Sequence, residues 1–560
     1  MDEQVNTTHS RSTKTIPMIA LIMLVAASGI GAYIMIARYM NVAVDPATYI
    51  PRDVTAAVTV DVRPTKGKYD AYKIIESLFV KAGVKHPEDN ILKKIDDSLG
   101  IDTRRDALCH LSGVGAAAVL TGLTEDNTPQ IVAMIGTRGD GHSRTLMATF
   151  GTKLNAKEIE FRRSQYRDFY YYYIPSQPDL GRYSRQISNY VGAVRSAIVY
   201  SNSEDGFKKV VDTVMGKPSL LSDANFTRLR KADGATLANT YFSGASYYKL
   251  ISPIINRTST QITTGAPDTL RKSMENNVAA VGNISIDSSG IKFELKGITK
   301  EPCPVLSKSS IDELVFNAPI DSAIVFAVGG WDEMWEQFRQ EVESSPEMSS
   351  RMTLLTSQVK NYTGVDPVRD VLDRITMVTG YYTPAPTPSS AFPGSLTFVL
   401  RVDRPDIVKA SMKKIHTVLG VSGGSTPIYS AIDPSATTIV PLGPGGESFG
   451  DTITGNNVLL NISGSNGTRC LQNAVRTCHG ETPNLITSPR FRKLKPRLLQ
   501  RADTLIYIDT DIMMSAFKKS MSPKDRKLTD AITFKINAIG ITAAATGTEY
   551  EMRAIAPFRK

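Results

Sequence analysis

Four short blocks of this 560-residue chain recur in the same order, 257 to 268 residues apart, and this recurrence constrains the fold more than any single motif does. The first is Pro51-Arg-Asp53 followed by the alternating TAAVTVDV, matched by Pro319-Ile-Asp321 followed by SAIVFAV; both read as a turn feeding a strand. The second is Gly100-Ile-Asp102-Thr-Arg-Arg105-Asp106, matched by Gly364-Val-Asp366-Pro367-Val-Arg369-Asp370. There glycine ends one helix, Asp102 or Asp366 accepts from the free N–H groups of the next, and Pro367 suits a first helical position. Capping explains this spacing more simply than an acid–base pair at Asp102 and Asp106. The third block is Pro218-Ser-Leu220 through Phe226 to Leu229, matched by Pro483-Asn-Leu485 through Phe491 to Leu494; each follows a strand and a helix and precedes another strand. The fourth, Gly290 to Ile298 against Gly547 to Ile555, reads as the second strand of a closing hairpin.

The recurrence predicts two tandem copies, 47–298 and 315–558, with a Pro- and Ser-containing linker at 299–314. Hairpins and single helices join alternating strands. The expected class is therefore α+β, with antiparallel or mixed sheets and helices packed on one face.

Ile16 to Ala37 is 22 residues without a charge, about 33 Å as a helix, which is enough to cross a bilayer core of roughly 30 Å. The apolar run continues past Ala26-Ala27-Ser28, so it reads as an uncleaved signal-anchor rather than a cleaved signal peptide. Arg11 and Lys14 precede it, giving residues 1–15 as a cytoplasmic tail and the bulk of the chain as extracytoplasmic. Membrane lipid is thus one expected partner, through this single helix, and Ala27-xxx-Gly31 would permit a homodimer. A net charge of +10 suits an anionic membrane surface without demanding one, and no nucleic-acid partner is expected.

Four cysteines are too few for a disulfide framework. Cys470 and Cys478 lie about 12 Å apart along one helix-like stretch, beyond the roughly 7 Å limit for a bridge; Cys109 with Cys303 stays open. Gly420-Val-Ser422-Gly-Gly424 matches a nucleophile elbow in letters, but a helix-like run precedes the serine and a loop follows it, the reverse of what the elbow needs. Ser246, Ser411 and Ser515 each stand three residues before a lysine without the companion elements of a serine acylase. The six histidines have no metal-ligand spacing, and Asp509-Thr-Asp511 reads as a strand-to-helix cap. No catalytic residue, cofactor or metal is assigned.

Two features could touch a partner. Arg490, Arg492, Lys493, Lys495, Arg497 and Arg501 place six cations within twelve residues, beside apolar ones, as contact with anionic headgroups requires; a solvated helix face is the plainer alternative. The run Phe169 to Ile174 carries aromatics on both strand faces, either as one core and one surface face or as part of a groove.

With Tyr49-Ile50-Pro51-Arg-Asp53, Gly100-Ile-Asp102 and the Pro-x-Leu-Leu-x-x-x-x-Phe of residues 218 to 226, the chain resembles an uncharacterised bacterial family, domain of unknown function 3352. The resemblance implies one hydrophobic segment and a long extracytoplasmic region at the bacterial cytoplasmic membrane, and supplies no catalytic residues. The expected function is a non-enzymatic, membrane-anchored scaffold or binding protein of the envelope, whose duplicated unit presents a surface to another envelope component, such as an envelope protein. A lipid or hydrophobic-ligand carrier or sensor is one alternative, and requires an apolar pocket in at least one copy. An envelope hydrolase using Ser422 is the other.

Overall fold

The computed structural model describes residues 45–60, 110–123, 128–175, 189–231, 236–244, 274–303, 309–384, 394–418, 438–441, 448–464, 467–517 and 536–559, with a few isolated positions between. The apolar segment 16–37, Gly100 to Arg105, Cys109 and Ser422 lie outside the described residues. Among the described residues no helix is long and apolar enough to cross a membrane. The chain forms two compact units, residues 1–64 with 86–222, and residues 65–85 with 223–560.

The first unit is a sheet of β1 (Ala56–Val60), β2 (Leu111–Leu123), β3 (Pro129–Thr137), β4 (Arg162–Tyr166), β5 (Phe169–Ile174), β6 (Asn189–Val194) and β7 (Ala197–Ser201). All neighbours are antiparallel, in the order β4-β5-β6-β7-β3-β2-β1. Two-residue turns with a positive φ at Arg167 and at Arg195 close the β4–β5 and β6–β7 hairpins, as the twist of paired strands favours. Helix α1 (Asp140–Ala156) follows β3 and α2 (Glu204–Val214) follows β7. Ser203 caps α2 by accepting from the Gly206 N–H at 3.1 Å, and the helix buries a stripe of Phe207, Val210 and Val211. Tyr171 of β5 packs on Phe207 of α2, whereas Tyr172, its side chain on the opposite face, meets Phe150 of α1. Helices therefore lie on both sheet faces rather than the expected one, because alternation here puts apolar residues on both.

The second unit contains a continuous antiparallel sheet. Its strands are β8 (Thr236–Phe242), β9 (Asn277–Asp287), β10 (Gly290–Thr299), β12 (Ile324–Gly329), β13 (Ile375–Pro384), β14 (Gly394–Val402), β15 (Thr438–Pro441), β16 (Ser448–Thr454), β17 (Asn457–Ser463), β19 (Thr504–Asp509), β20 (Ala538–Thr546) and β21 (Glu549–Pro557). They run β15-β16-β17-β14-β13-β12-β19-β20-β21-β10-β9-β8. The short β11 (Ser309–Ser310) and β18 (Arg501–Ala502) pair separately. Helices are α3 (Ala224–Leu229), α4 (Ile311–Val315), α5 (Trp331–Ser344), α6 (Pro346–Thr363), α7 (Pro367–Asp370), α8 (Pro405–Val418), α9 (Gly467–Cys478), α10 (Pro489–Leu494) and α11 (Thr510–Phe517). One core face gathers Leu314, Val325, Tyr381, Leu459, Leu471, Phe491 and Tyr507; the other gathers Ile375, Val378, Val408 and Val458, with Trp331, Phe398 and Met412 packed against them.

The connectivity of β5-β6-β7-β3-β2-β1 recurs in β15-β16-β17-β14-β13-β12, and that of β8-β9-β10 in β19-β20-β21. The first and third sequence blocks prove to be each other's partners: Pro51 bridges Ser219, and Pro319 bridges Asn484. Leu220 N–H donates to Ile50 O in one half and Leu485 N–H to Ala318 O in the other, both at 2.8 Å. Edge-on ring pairs also recur, Phe226 with Tyr241 and Phe491 with Tyr507. Strands β10 and β21 pair with each other so that Leu295 faces Met552, its own counterpart at the 257-residue offset. That pairing is why β8 to β10 belong to the second compact unit rather than to the first. Gly364 ends α6 with φ 69°, and Asp366 accepts from the Arg369 N–H at 3.2 Å, as the second block's spacing predicts. Cys303, Cys470 and Cys478 are free thiols.

Candidate functional site

The basic segment folds as α10, a 3-10 turn (Lys495–Arg497) and β18, and its six cations do not act alike. Arg490 is structural: one guanidinium nitrogen reaches both oxygens of buried Asp509 at 2.7 Å, and another reaches Asp511 at 2.8 Å. These contacts raise the Arg490 pKa despite its burial. Asp509 also accepts from the Ile512 N–H at 3.0 Å, so it is the cap expected from the sequence, with the guanidinium placed between the two carboxylates. Lys495 is paired with Asp312 at 2.6 Å. Arg492 donates to the Ile486 carbonyl at 3.2 Å and Arg497 to the Ser289 carbonyl at 2.7 Å. Arg492, Lys493, Arg497 and Arg501 form no ion pair among the described residues. Ile486, Arg492, Lys495, Pro496 and Gln500 line an open groove of about 470 Å³.

In the aromatic strand, Tyr171 is buried and Tyr170 is half exposed with Arg163 stacked over its ring at 4.2 Å. Burial does not alternate along the strand: Tyr172, on the same face as Tyr170, packs against Phe150 and Phe161. The structure also brings together His110 and His142, whose Nδ1 atoms lie 3.0 Å apart; burial and the neighbouring His142 lower the His110 pKa. Among the described residues no group of three metal-ligating side chains occurs.

A site that sequence reading missed lies on one face of the first unit's sheet. Strand register places Val58, Ala118, Ala133 and Tyr200 in one row and Val60, Ala116, Ile135 and Ile198 in the next. These eight residues, with Ala117 and Met134 between them in the strands, line an apolar trough of about 260 Å³. Alanines keep its floor low, while Val58 on one side and Ile198 with Tyr200 on the other form walls. Ile131, one row further on, is 44 % exposed. The alternate residues Ala117, Val119, Val132, Met134 and Val199 are buried on the opposite face, so the strands are apolar on both sides, and the described residues fully cover only one of them. Helix α1 packs over β6, β7 and β3 without closing the β1–β2–β3 portion.

The chain belongs to the family described as "Protein of unknown function (DUF3352)", whose model matches residues 18–555. No curated protein matches it. Two solved structures, crystal forms III and IV of TP0453, are 9 % identical to it; each match covers 46 % of this chain and 80 % or 81 % of the other, with TM-scores of 0.24 and 0.25. Scores this low establish no shared fold.

Proposed function

We propose that the protein is a non-enzymatic, single-pass membrane-anchored binding protein of the bacterial envelope, and that its first sheet holds a lipid acyl chain or a hydrophobic ligand of that width. In this reading residues 16–37 are the transmembrane helix, the chain beyond them is extracytoplasmic, and the recurrent strand order reflects two tandem copies of one unit. The apolar trough carries the reading. At about 260 Å³ it falls just under the roughly 300–1,000 Å³ of ordinary ligand pockets, which suits one acyl chain better than a bulky group. Its position supports the same occupant. Asp45 is the eighth residue after Ala37, at most about 28 Å of extended chain, and the following turn packs against β2, where Pro46 meets Gly115 beside Ala116 of the trough.

Native mass spectrometry of the full-length protein, extracted in detergent from its own membrane, is expected to show a retained lipid-sized mass. Ala133→Phe, which places a ring where the second half carries Phe398, should remove it. A bare wild-type chain, or equal retention by the variant, would reject lipid binding at this trough. Topology is tested separately: a membrane-impermeant maleimide should label intact spheroplasts, with labelling lost in Cys303→Ser. Cys478 should not contribute, because burial pushes its thiol up to about 12. Labelling of Cys303 only after lysis would reverse the orientation.

A scaffold role has its own supporting observation. No residue of α6 is buried, and Leu354, Leu355 and Tyr362 are 57 %, 60 % and 77 % exposed, an apolar ridge suited to an envelope protein partner. Loss of a crosslinked partner in Leu354→Glu/Leu355→Glu, at unchanged melting temperature, would support it.

A further inference from the structure

We propose that the groove beside α10 binds the phosphate of an anionic lipid headgroup, a second and independent contact from the apolar trough. Arg490 and Lys495 end on carboxylates and bring no free charge to the surface. Arg492, in the groove lining, and Arg497, on the turn that follows Pro496, are different: each is steered by a neutral backbone carbonyl, Ile486 O and Ser289 O, so its orientation is fixed while it meets no carboxylate among the described residues. Lys493 and Arg501 add two exposed cations within the same ten residues. Ile486 and Pro496 give the groove an apolar wall beneath this charge, the pairing of surfaces that a headgroup and the start of its glycerol backbone present.

The corresponding stretch of the first half shows that the fold does not need this arrangement. There Arg228 pairs with Glu549 at 3.2 Å, and Lys231 pairs with buried Glu294. Those cations are matched by carboxylates, as Lys495 is at the α10 groove; Arg492 in the groove lining, and Lys493, Arg497 and Arg501 near it in the chain, form no ion pair among the described residues.

The test uses the full-length protein in neutral detergent, carrying Ala133→Phe so that the trough does not contribute. It is titrated with dihexanoylphosphatidylglycerol, dihexanoylphosphatidylcholine and inorganic phosphate. The anionic lipid should bind more tightly than the zwitterionic one. Arg492→Gln and Arg497→Gln should each weaken it about fivefold, with added salt acting in the same direction. Melting temperatures should not move, since both side chains sit at the surface. Equal affinity for the two lipids, or an unchanged affinity in Arg492→Gln/Arg497→Gln, overturns the proposal. Displacement of the anionic lipid by equimolar inorganic phosphate also overturns it, and assigns the groove to a soluble phosphoryl compound.

Discussion

The two halves of the chain carry the same row of positions across one sheet face and treat it in opposite ways. In the N-terminal half the row is Val58, Ala118, Ala133, Tyr200 and Val191; in the C-terminal half it is Phe326, Gly380, Phe398, Leu460 and Asp451. Phe326 and Phe398 meet edge to face at 5.8 Å, and a Cβ on Gly380 would collide with the Phe326 ring, so the glycine makes room for it. Trp331, Val408 and Met412 then close over the pair. Where Ala118 and Ala133 stand in place of Gly380 and Phe398, no ring takes the place of Phe326 or Phe398, and among the described residues a trough walled by Tyr200 remains. Among the described residues, one strand framework thus yields a core or an open site according to side-chain volume at a few positions.

The largest test of this divergence lies beside the row. Arg490 and Asp509 of the second half correspond in the first to Asn225 and Ser243, which carry no charge. Arg490→Gln should cost about 3 kcal/mol in urea unfolding, because it strands a buried carboxylate; the figure is at the low end for buried pairs since the guanidinium is partly in water. Asn225→Ala should stay within about 0.5 kcal/mol. Similar costs at both sites would mean that the ion pair is not what distinguishes the halves. Phe398→Ala should cost about 2 kcal/mol, less than for a fully buried ring because Phe398 is only partly buried, and open a second trough beneath Trp331. Two retained lipids per chain would then extend the comparison, while collapse around the deleted ring with no added ligand would break it.

Much of the framework was legible in the sequence, since turns, caps and strand alternation are local. The Asp366 cap, the Asp509 cap and the closing hairpins follow from a few neighbouring residues. The partnership of the Pro51 block with the Leu220 block was not, because nothing local says that two recurring motifs hydrogen-bond to each other. The trough was hidden for the same reason. Ala116 and Ala118 are visible in β2 as small residues, but only the registers of β1, β2, β3 and β7 set them beside Ala133 and Ile198. Aligning the halves position by position would have exposed the exchange of Phe398 for Ala133. The basic segment was visible as a cluster, yet its division depends on Asp312, Asp509 and Ser289, distant in the chain.

The smallest expected effect concerns the last position of the row. Asp451 is fully buried beneath α8, with His416 Nε2 3.1 Å from one carboxylate oxygen. Burial raises Asp451 to about 7 and lowers His416. A carboxyl whose folded pKa lies above its unfolded value costs nothing at low pH; the cost grows as pH rises from about 4 and is complete above 7. His416 acts in the opposite sense, destabilising the fold only as pH falls below its unfolded value, so between pH 6.5 and 8 the slope belongs to Asp451. Asp451→Val, which installs the residue of the first half, should therefore raise stability by about 1–2 kcal/mol at pH 8, because neither buried carboxylate oxygen accepts a hydrogen bond among the described residues. The gain should shrink toward pH 5, as read from urea midpoints at the two values. A loss at pH 8 would show Asp451 ionised against a protonated His416. The covered face of the second half would then owe part of its closure to charge, and the contrast with the open trough would no longer be one of volume alone.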